Sequence, residues 1–305
     1  MIDKENPDSL NYLLENWEKQ KAIDAEAGWR QLHKRITFIR NKRRFFNYLR
    51  NTAAILLPLL LVFQYALYPT FRENRLPKET ITVTSAPGIV TKAILPDGSE
   101  VWLNSLSSLT YPQRFEEKER TVQLTGEAYF KVVSDKKHRF NVETPQKMIV
   151  SAYGTEFNVN AYGSEASHVV TLASGNVEIS TMLYADKTIA LGVDEKAVMD
   201  THTGAINVAM ADAYVETAWK DGKMVFRREK LDNIVTRLSR KFGVEIVLEG
   251  EELKGYEYTA TFTDETIEDI LDLLARSAPI SYSISSQKKL ENETFSRKRI
   301  TIKTQ

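Results

Sequence analysis

One stretch limits the architecture of this chain more than any other. From Asn51 to Phe71 there is no charged residue, and the centre reads Ala53-Ala-Ile-Leu-Leu-Pro-Leu-Leu-Leu-Val-Phe63. As a helix, this run reaches about 31 Å, the thickness of a bilayer's hydrocarbon core. A helix at the edge of a water-soluble core would keep a polar face, and this run has none. Tyr48 on one side and Tyr65 and Tyr68 on the other suit the two membrane interfaces. The run begins too late for a cleaved signal peptide, and no small-residue cleavage pattern follows it. A single membrane-spanning helix over 51–71 is therefore expected.

Charge sets the orientation. Lys and Arg together number 41, as do Asp and Glu, but the balance is uneven along the chain. Residues Gln31–Arg50 carry seven Lys or Arg and no acid, whereas the twenty residues after Phe71 carry three, Arg72, Arg75 and Lys78. The positive-inside rule then puts the N-terminus in the cytoplasm and the long C-terminal part outside it. The basic run at 34–44 suits a membrane surface better than nucleic acid, because the chain as a whole has no cationic excess.

Enzymatic chemistry has little to stand on. There is no cysteine, so disulfides, thiolate metal sites and cysteine nucleophiles are all excluded. His33, His138, His168 and His202 lie far apart, and no metal-binding, phosphate-loop or serine-elbow spacing occurs. No catalytic residue, metal ligand or cofactor is expected.

Residues 1–50 read as two short amphipathic helices. Leu10, Leu13, Leu14 and Trp17 recur at helical spacing, with Ser9 ahead of them as an N-cap, and Trp29, Leu32, His33 and Ile36 repeat the pattern after Gly28. Fifty residues with so few large apolar groups make a poor core of their own. The stripes either cover each other in a hairpin or are completed by a partner as a helix-in-groove contact. The contact residues under the partner reading are Leu13, Trp17, Trp29, Leu32 and Ile36.

Beyond a linker at 72–80, residues 81–184 alternate as strands do, in Val90–Ile94, Val101–Leu103, Phe157–Ala161 and Val177–Ile179. Gly98, Gly126, Gly154 and Gly175 each precede a short strand, a loose repeat that a β-solenoid or a twisted sandwich would produce. Residues 185–218 read as a connecting segment. From 219 to 305 strands and helices alternate as βαββαββ, with Thr266 and Asp269 forming a capping box, which argues for a small α/β module.

The stretches Leu95-Pro-Asp-Gly-Ser-Glu-Val-Trp-Leu-Asn104, Leu109-Thr-Tyr-Pro112, Val122-Gln-Leu-Thr-Gly-Glu-Ala-Tyr-Phe-Lys-Val132, Phe140-Asn-Val142 and Gly154-Thr-Glu-Phe-Asn-Val159 resemble the FecR family of transmembrane anti-sigma factors. Trp219-Lys-Asp-Gly-Lys-Met-Val-Phe226, with the helix opening at Leu231, resembles the C-terminal domain found in one branch of that family. That domain is similar in element order to the short N-terminal domain of secretins and of signal-transducing TonB-dependent receptors. The resemblance implies that the cytoplasmic segment holds an extracytoplasmic-function sigma factor. It also implies that the periplasmic part receives a signal from the periplasmic domain of an outer-membrane TonB-dependent receptor, with the chain in the inner membrane. Two departures stand out: the cytoplasmic segment is shorter than usual, and Leu191-Gly-Val-Asp-Glu195 lacks the proline of the family's Leu-x-Pro-Gly-Glu pattern. The competing reading is a membrane-anchored periplasmic scaffold or glycan-binding module without sigma regulation. A bare anchor needs no Trp17, Trp29 or spaced leucines on its cytoplasmic side.

Overall fold

The computed structural model describes residues 7–21, 26, 28–30, 32–36, 42, 48–49, 52, 54, 56–64, 79–116, 119–181, 188–285 and 297–305. The chain divides into two compact units, Met1–Pro77 and Lys78–Gln305.

In the first unit, helix α1 spans Pro7–Lys21. It begins at Pro7, whose fixed φ and missing N–H suit a first helical position, so Ser9 lies inside the helix rather than capping it. The described residues from 28 to 36 are also helical, Gly28 included, so that glycine does not break the second helix from its start. Residues 52, 54 and 56–64 of the expected span are helical, and among the described residues no helix is long and apolar enough to cross a membrane. Residues 51, 53, 55 and 65–71 of that span lie outside the described residues, as does 72–78 of the expected linker.

The second unit opens with thirteen strands that form two layers sharing one strand. One layer runs β1 (Thr80–Thr84), β4 (Ser108–Pro112), the first half of β5 (Glu119–Lys131), β6 (Arg139–Glu143), β7 (Met148–Ala152), β10 (Val177–Thr181) and β11 (Ile189–Leu191). The other runs β2 (Thr91–Ile94), β3 (Glu100–Leu103), the second half of β5, β8 (Glu156–Ala161), β9 (Ser167–Ser174), β12 (Glu195–Asp200) and β13 (Ile206–Met210). Every ladder in the two layers is antiparallel except β5 with β6. A solenoid stacks successive units in parallel, so of the two sequence expectations the sandwich is the one realised.

Gly126 makes the shared strand possible. It sits where β5 leaves the first layer for the second, with φ +97°, and a Cβ there would lie 2.8 Å from the Ser107 Cα. Both layers feed a single core. Phe130 and Phe157 of the second layer stack at 5.1 Å between centroids, and Phe140 of the first lies 6.0 Å from Phe130. All three are fully buried.

Residues 185–218 are not a plain connector. They contribute β11, β12 and β13, and Leu191, Ala197 and Met199 enter the sandwich core. The reason they were unreadable is their length and pattern: β11 has three residues, and β13 shows no buried alternation. In the turn from β11 to β12, Asp194 stands where the family's Leu-x-Pro-Gly-Glu pattern has glycine, and it takes φ +60°. Glu195 repairs the turn, its backbone N–H donating to the Gly192 carbonyl (3.1 Å) and its carboxylate accepting from the Gly192 N–H (2.7 Å). A left-handed L-residue costs more than the entropy lost in ordering a glycine, so Asp194→Gly should stabilise the unit by about 0.5–1 kcal/mol. A urea midpoint that falls on this substitution contradicts the argument.

A short helix α2 (Ala213–Thr217) and a 3-10 turn (Ala218–Asp221) lead into the C-terminal module. The module reads β14 (Met224–Lys230), α3 (Leu231–Phe242), β15 (Glu245–Glu249), a 3-10 turn, β16 (Glu257–Phe262), α4 (Ile267–Ser277), β17 (Ile280–Ser285) and β18 (Arg299–Thr304). This is the expected βαββαββ order. The strands form two small sheets, β14–β16 and β15–β18–β17, rather than one. Leu231, Ile234, Val235 and Leu238 of α3 meet Ile267, Ile270, Leu271 and Leu274 of α4 in a core of their own. The capping box is present: the Thr266 hydroxyl accepts from the Asp269 N–H, and the Asp269 carboxylate accepts from the Thr266 N–H. Gly243 ends α3 in the left-handed conformation.

Candidate functional site

The five partner-contact residues expected from sequence lie on helices and face outward. Leu13, Trp17, Trp29, Leu32 and Ile36 are between 47% and 64% exposed. Leu10 and Leu14 extend the first stripe, and Trp29 meets the His33 ring edge-on at 5.5 Å. Apolar groups of this size at that exposure mark a surface made to be covered.

A second constellation was not anticipated. Three of the sequence motifs converge on one carboxylate. Glu127, from Gly-Glu-Ala-Tyr-Phe on β5, is buried. Its Oε2 accepts from the Asn104 amide at the end of β3 (2.7 Å), and its Oε1 from the Asn158 amide on β8 (2.9 Å). Its backbone N–H donates to the Ser107 hydroxyl (2.8 Å). Burial pushes the Glu127 pKa up; the two amide bonds and the charges of Arg237 and Arg240 pull it back.

Strand alternation puts Asn104, Glu127 and Asn158 on the outer face of the second layer, away from the core residues Leu103, Ala128, Phe157 and Val159. Glu127 and Asn158 are buried and Asn104 half-buried because the C-terminal part lies against that face. The Arg240 guanidinium of α3 sits 3.9 Å from the Tyr162 ring centroid and pairs with Glu165. Lys220 stands over the Tyr129 ring at 5.2 Å, and Lys196 of β12 pairs with Glu216 of α2 at 2.8 Å. At Gly88 the approach is closest: a Cβ there would lie 2.8 Å from the Lys241 carbonyl oxygen. The sandwich and the module are thus joined by direct contacts, and the motif carboxylate lies at the seam.

A further motif residue, Asp97 of Pro-Asp-Gly, anchors the other side of the sandwich. It pairs with the buried Arg120 at 2.7 Å, and the same guanidinium donates to the carbonyls of Val133 (3.0 Å) and His138 (2.9 Å). Nearby, the His138 ring holds Asp135 down at about 2 through a 2.6 Å hydrogen bond.

His168 is the remaining oddity. It shares the inward face of β9 with Val170 and Leu172, it is fully buried, and neither ring nitrogen has a partner among the described residues. Burial lowers its pKa. The folded state therefore resists a proton that the unfolded chain takes up below about pH 6.5. The unit should lose stability as pH falls through that value, and His168→Leu should flatten the loss. Denaturation midpoints measured between pH 7 and 5 check this; parallel curves for the two proteins refute it.

No group of His, Asp and Glu able to hold a metal is found among the described residues. One unit carries a two-layer sandwich with an α/β module, and the other a helical segment with an uncovered apolar stripe. The comparisons specify the family. The FecR protein family model matches residues 81–178, and the model for the FecR C-terminal domain matches 223–296. The chain belongs to the FecR family. The chain is also similar to two crystal structures, at 1.65 Å and 2.50 Å, of a protein proposed to be an anti-sigma factor from Parabacteroides distasonis ATCC 8503. Each shares 26% identity; the TM-scores are 0.64 and 0.63, and the alignments cover 74% of this chain and 99% and 100% of those. A comparison with curated proteins finds no match.

Sequence reasoning quoted Asn104, Glu127 and Asn158 within motifs but assigned them no role. The signal available was a polar residue at an otherwise strand-like position. Their separations of 23 and 31 residues in sequence hide the meeting.

Proposed function

We propose that this chain is a single-pass regulator of an extracytoplasmic-function sigma factor in the inner membrane, with its N-terminus in the cytoplasm. The observation that carries the reading is the exposed stripe of Leu13, Trp17, Trp29, Leu32 and Ile36, attached to a FecR-family outer part. Covering Trp29, Leu32 and Ile36 would contribute about 5–8 kcal/mol before association costs, enough for a regulated complex. Residues 56–63 support the membrane assignment, because their apolar side chains are exposed all round the helix.

On this reading the C-terminal module meets the periplasmic signalling domain of a TonB-dependent outer-membrane receptor. The edges of the sheet β15–β18–β17, unpaired among the described residues, offer it a strand-addition surface. The chain acts by coupling surfaces, without a chemical step and without touching nucleic acid itself. The likeness to the Parabacteroides distasonis protein supports the sigma-regulating role.

The test is purification of the full chain from membranes with its bound partners, together with fusions at each end. A sigma factor should co-purify. A reporter active only outside the cytoplasm should work after Gln305 and fail before Met1. Activity of the N-terminal fusion alone reverses the orientation, and absence of a sigma factor in the purified complex removes the function.

A further inference from the structure

The seam between the sandwich and the C-terminal module is not closed. It holds a cavity of about 170 Å³, walled by Glu127, Trp219, Lys223, Arg237, Arg240 and Lys241, with the Gly88 loop at its mouth. That volume equals roughly five or six waters, too small for a polymer and large enough for a compact metabolite.

The wall is one-sided in its chemistry. Lys223, Arg237 and Lys241 form no ion pair with a carboxylate among the described residues. Arg237 donates to the Val225 carbonyl and faces the Glu127 charge, and Lys241 donates to the Gly222 carbonyl. Arg240 has Glu165. The one carboxylate in the wall, Glu127, already accepts from Asn104 and Asn158 through both oxygens. The Asn104 side-chain carbonyl is likewise taken, by the Ser105 N–H (2.8 Å). The wall therefore carries more positive charge than its one carboxylate offsets, and that carboxylate's oxygens are already engaged.

We propose that this cavity binds a small acceptor-rich anion, a carboxylate or a phosphate, held by Lys223, Arg237 and Lys241. The ligand would touch both the sandwich wall and α3, so binding it would tighten the seam between them. This site belongs to neither the sigma-binding stripe nor the sheet edge, and it stands whether or not those assignments do.

The experiment is calorimetric titration of the full chain in detergent with inorganic phosphate and, separately, with malonate, each against chloride at equal ionic strength. Saturable binding to at least one is expected, together with a rise in melting temperature. Lys223 is exposed, so the double variant Lys223→Gln/Lys241→Gln should melt normally in chloride and bind at least tenfold more weakly. The proposal fails if neither anion binds saturably up to about 10 mM, an affinity too weak for a built site. It also fails if the double variant binds as the parent does, since the anion is then on the surface elsewhere. Which anion binds separates the carboxylate from the phosphate.

Discussion

Arg120→Ala should cost the unit Lys78–Gln305 about 3–5 kcal/mol, a large share of the roughly 5–15 kcal/mol that holds a typical domain together. The side chain is almost fully buried, and it faces a carboxylate that is 13% exposed. Its guanidinium satisfies Asp97 and the carbonyls of Val133 and His138 together, and it stands 5.5 Å from the Phe140 ring centroid. Removing it strands a carboxylate and two carbonyl oxygens inside the protein and strips contact from a core phenyl ring. Asp97 keeps only its bonds to Ser99, from the backbone N–H (3.0 Å) and from the hydroxyl (2.7 Å). The matched control is Arg139→Ala. That arginine also pairs with a carboxylate, Glu178 at 3.2 Å, but both partners are more than 40% exposed. Solvent screens such a pair, and its loss should cost less than about 1 kcal/mol. Urea unfolding followed by circular dichroism measures both. Equal shifts in midpoint for the two variants would falsify the account of Arg120.

Trp29→Ala should release the sigma factor. Aromatic residues at the centre of an interface commonly carry about 2–4 kcal/mol, which here means roughly 30- to 700-fold weaker binding. Trp29 is the largest apolar side chain on its helix, and Leu32 and Ile36 lie on the same face at helical spacing. Sigma-dependent transcription should rise or cease to follow the external signal, while the protein stays in the membrane at its normal level. Lys19→Ala is the control, since its 3.6 Å contact with Glu15 joins two strongly exposed side chains. A stripe that merely closes an internal hairpin predicts a different result: a lower protein level and no change in transcription at matched expression. Equal transcription from the parent, Trp29→Ala and a chain lacking residues 1–38 rules out sigma regulation by this segment.

The parts of this protein that are local in origin could be read from its sequence. Helix α3 and its Gly243 stop, the Thr266–Asp269 capping box and the βαββαββ order each depend on residues a few positions apart, where side-chain spacing and backbone preference act directly. The apolar stripes around Trp17 and Trp29 are of the same kind, and so is the uncharged run at 51–71. The FecR resemblance rests on motifs of that length as well.

The tertiary structure alone decided what depends on pairing at a distance. A period of two identifies a strand without naming its neighbour, so the repeat of glycines fitted a solenoid and a sandwich equally. The bend of β5 at Gly126, which lets one strand serve both layers, is the feature that selects the sandwich. Strands β11 and β13 are not legible in the sequence because a three-residue strand and an exposed edge strand carry almost no burial pattern, and they form only against partners supplied by the rest of the sheet. Glu127 shows the same dependence in its chemistry. On an outward-facing strand position its sequence reads as surface charge. Asn104 and Asn158 reach it from neighbouring strands of the same layer, and packing of the α3 module against that face buries it and turns a surface glutamate into the wall of a cationic cavity. Burial belongs to the assembled fold, because it is created by atoms that the neighbouring sequence does not contain.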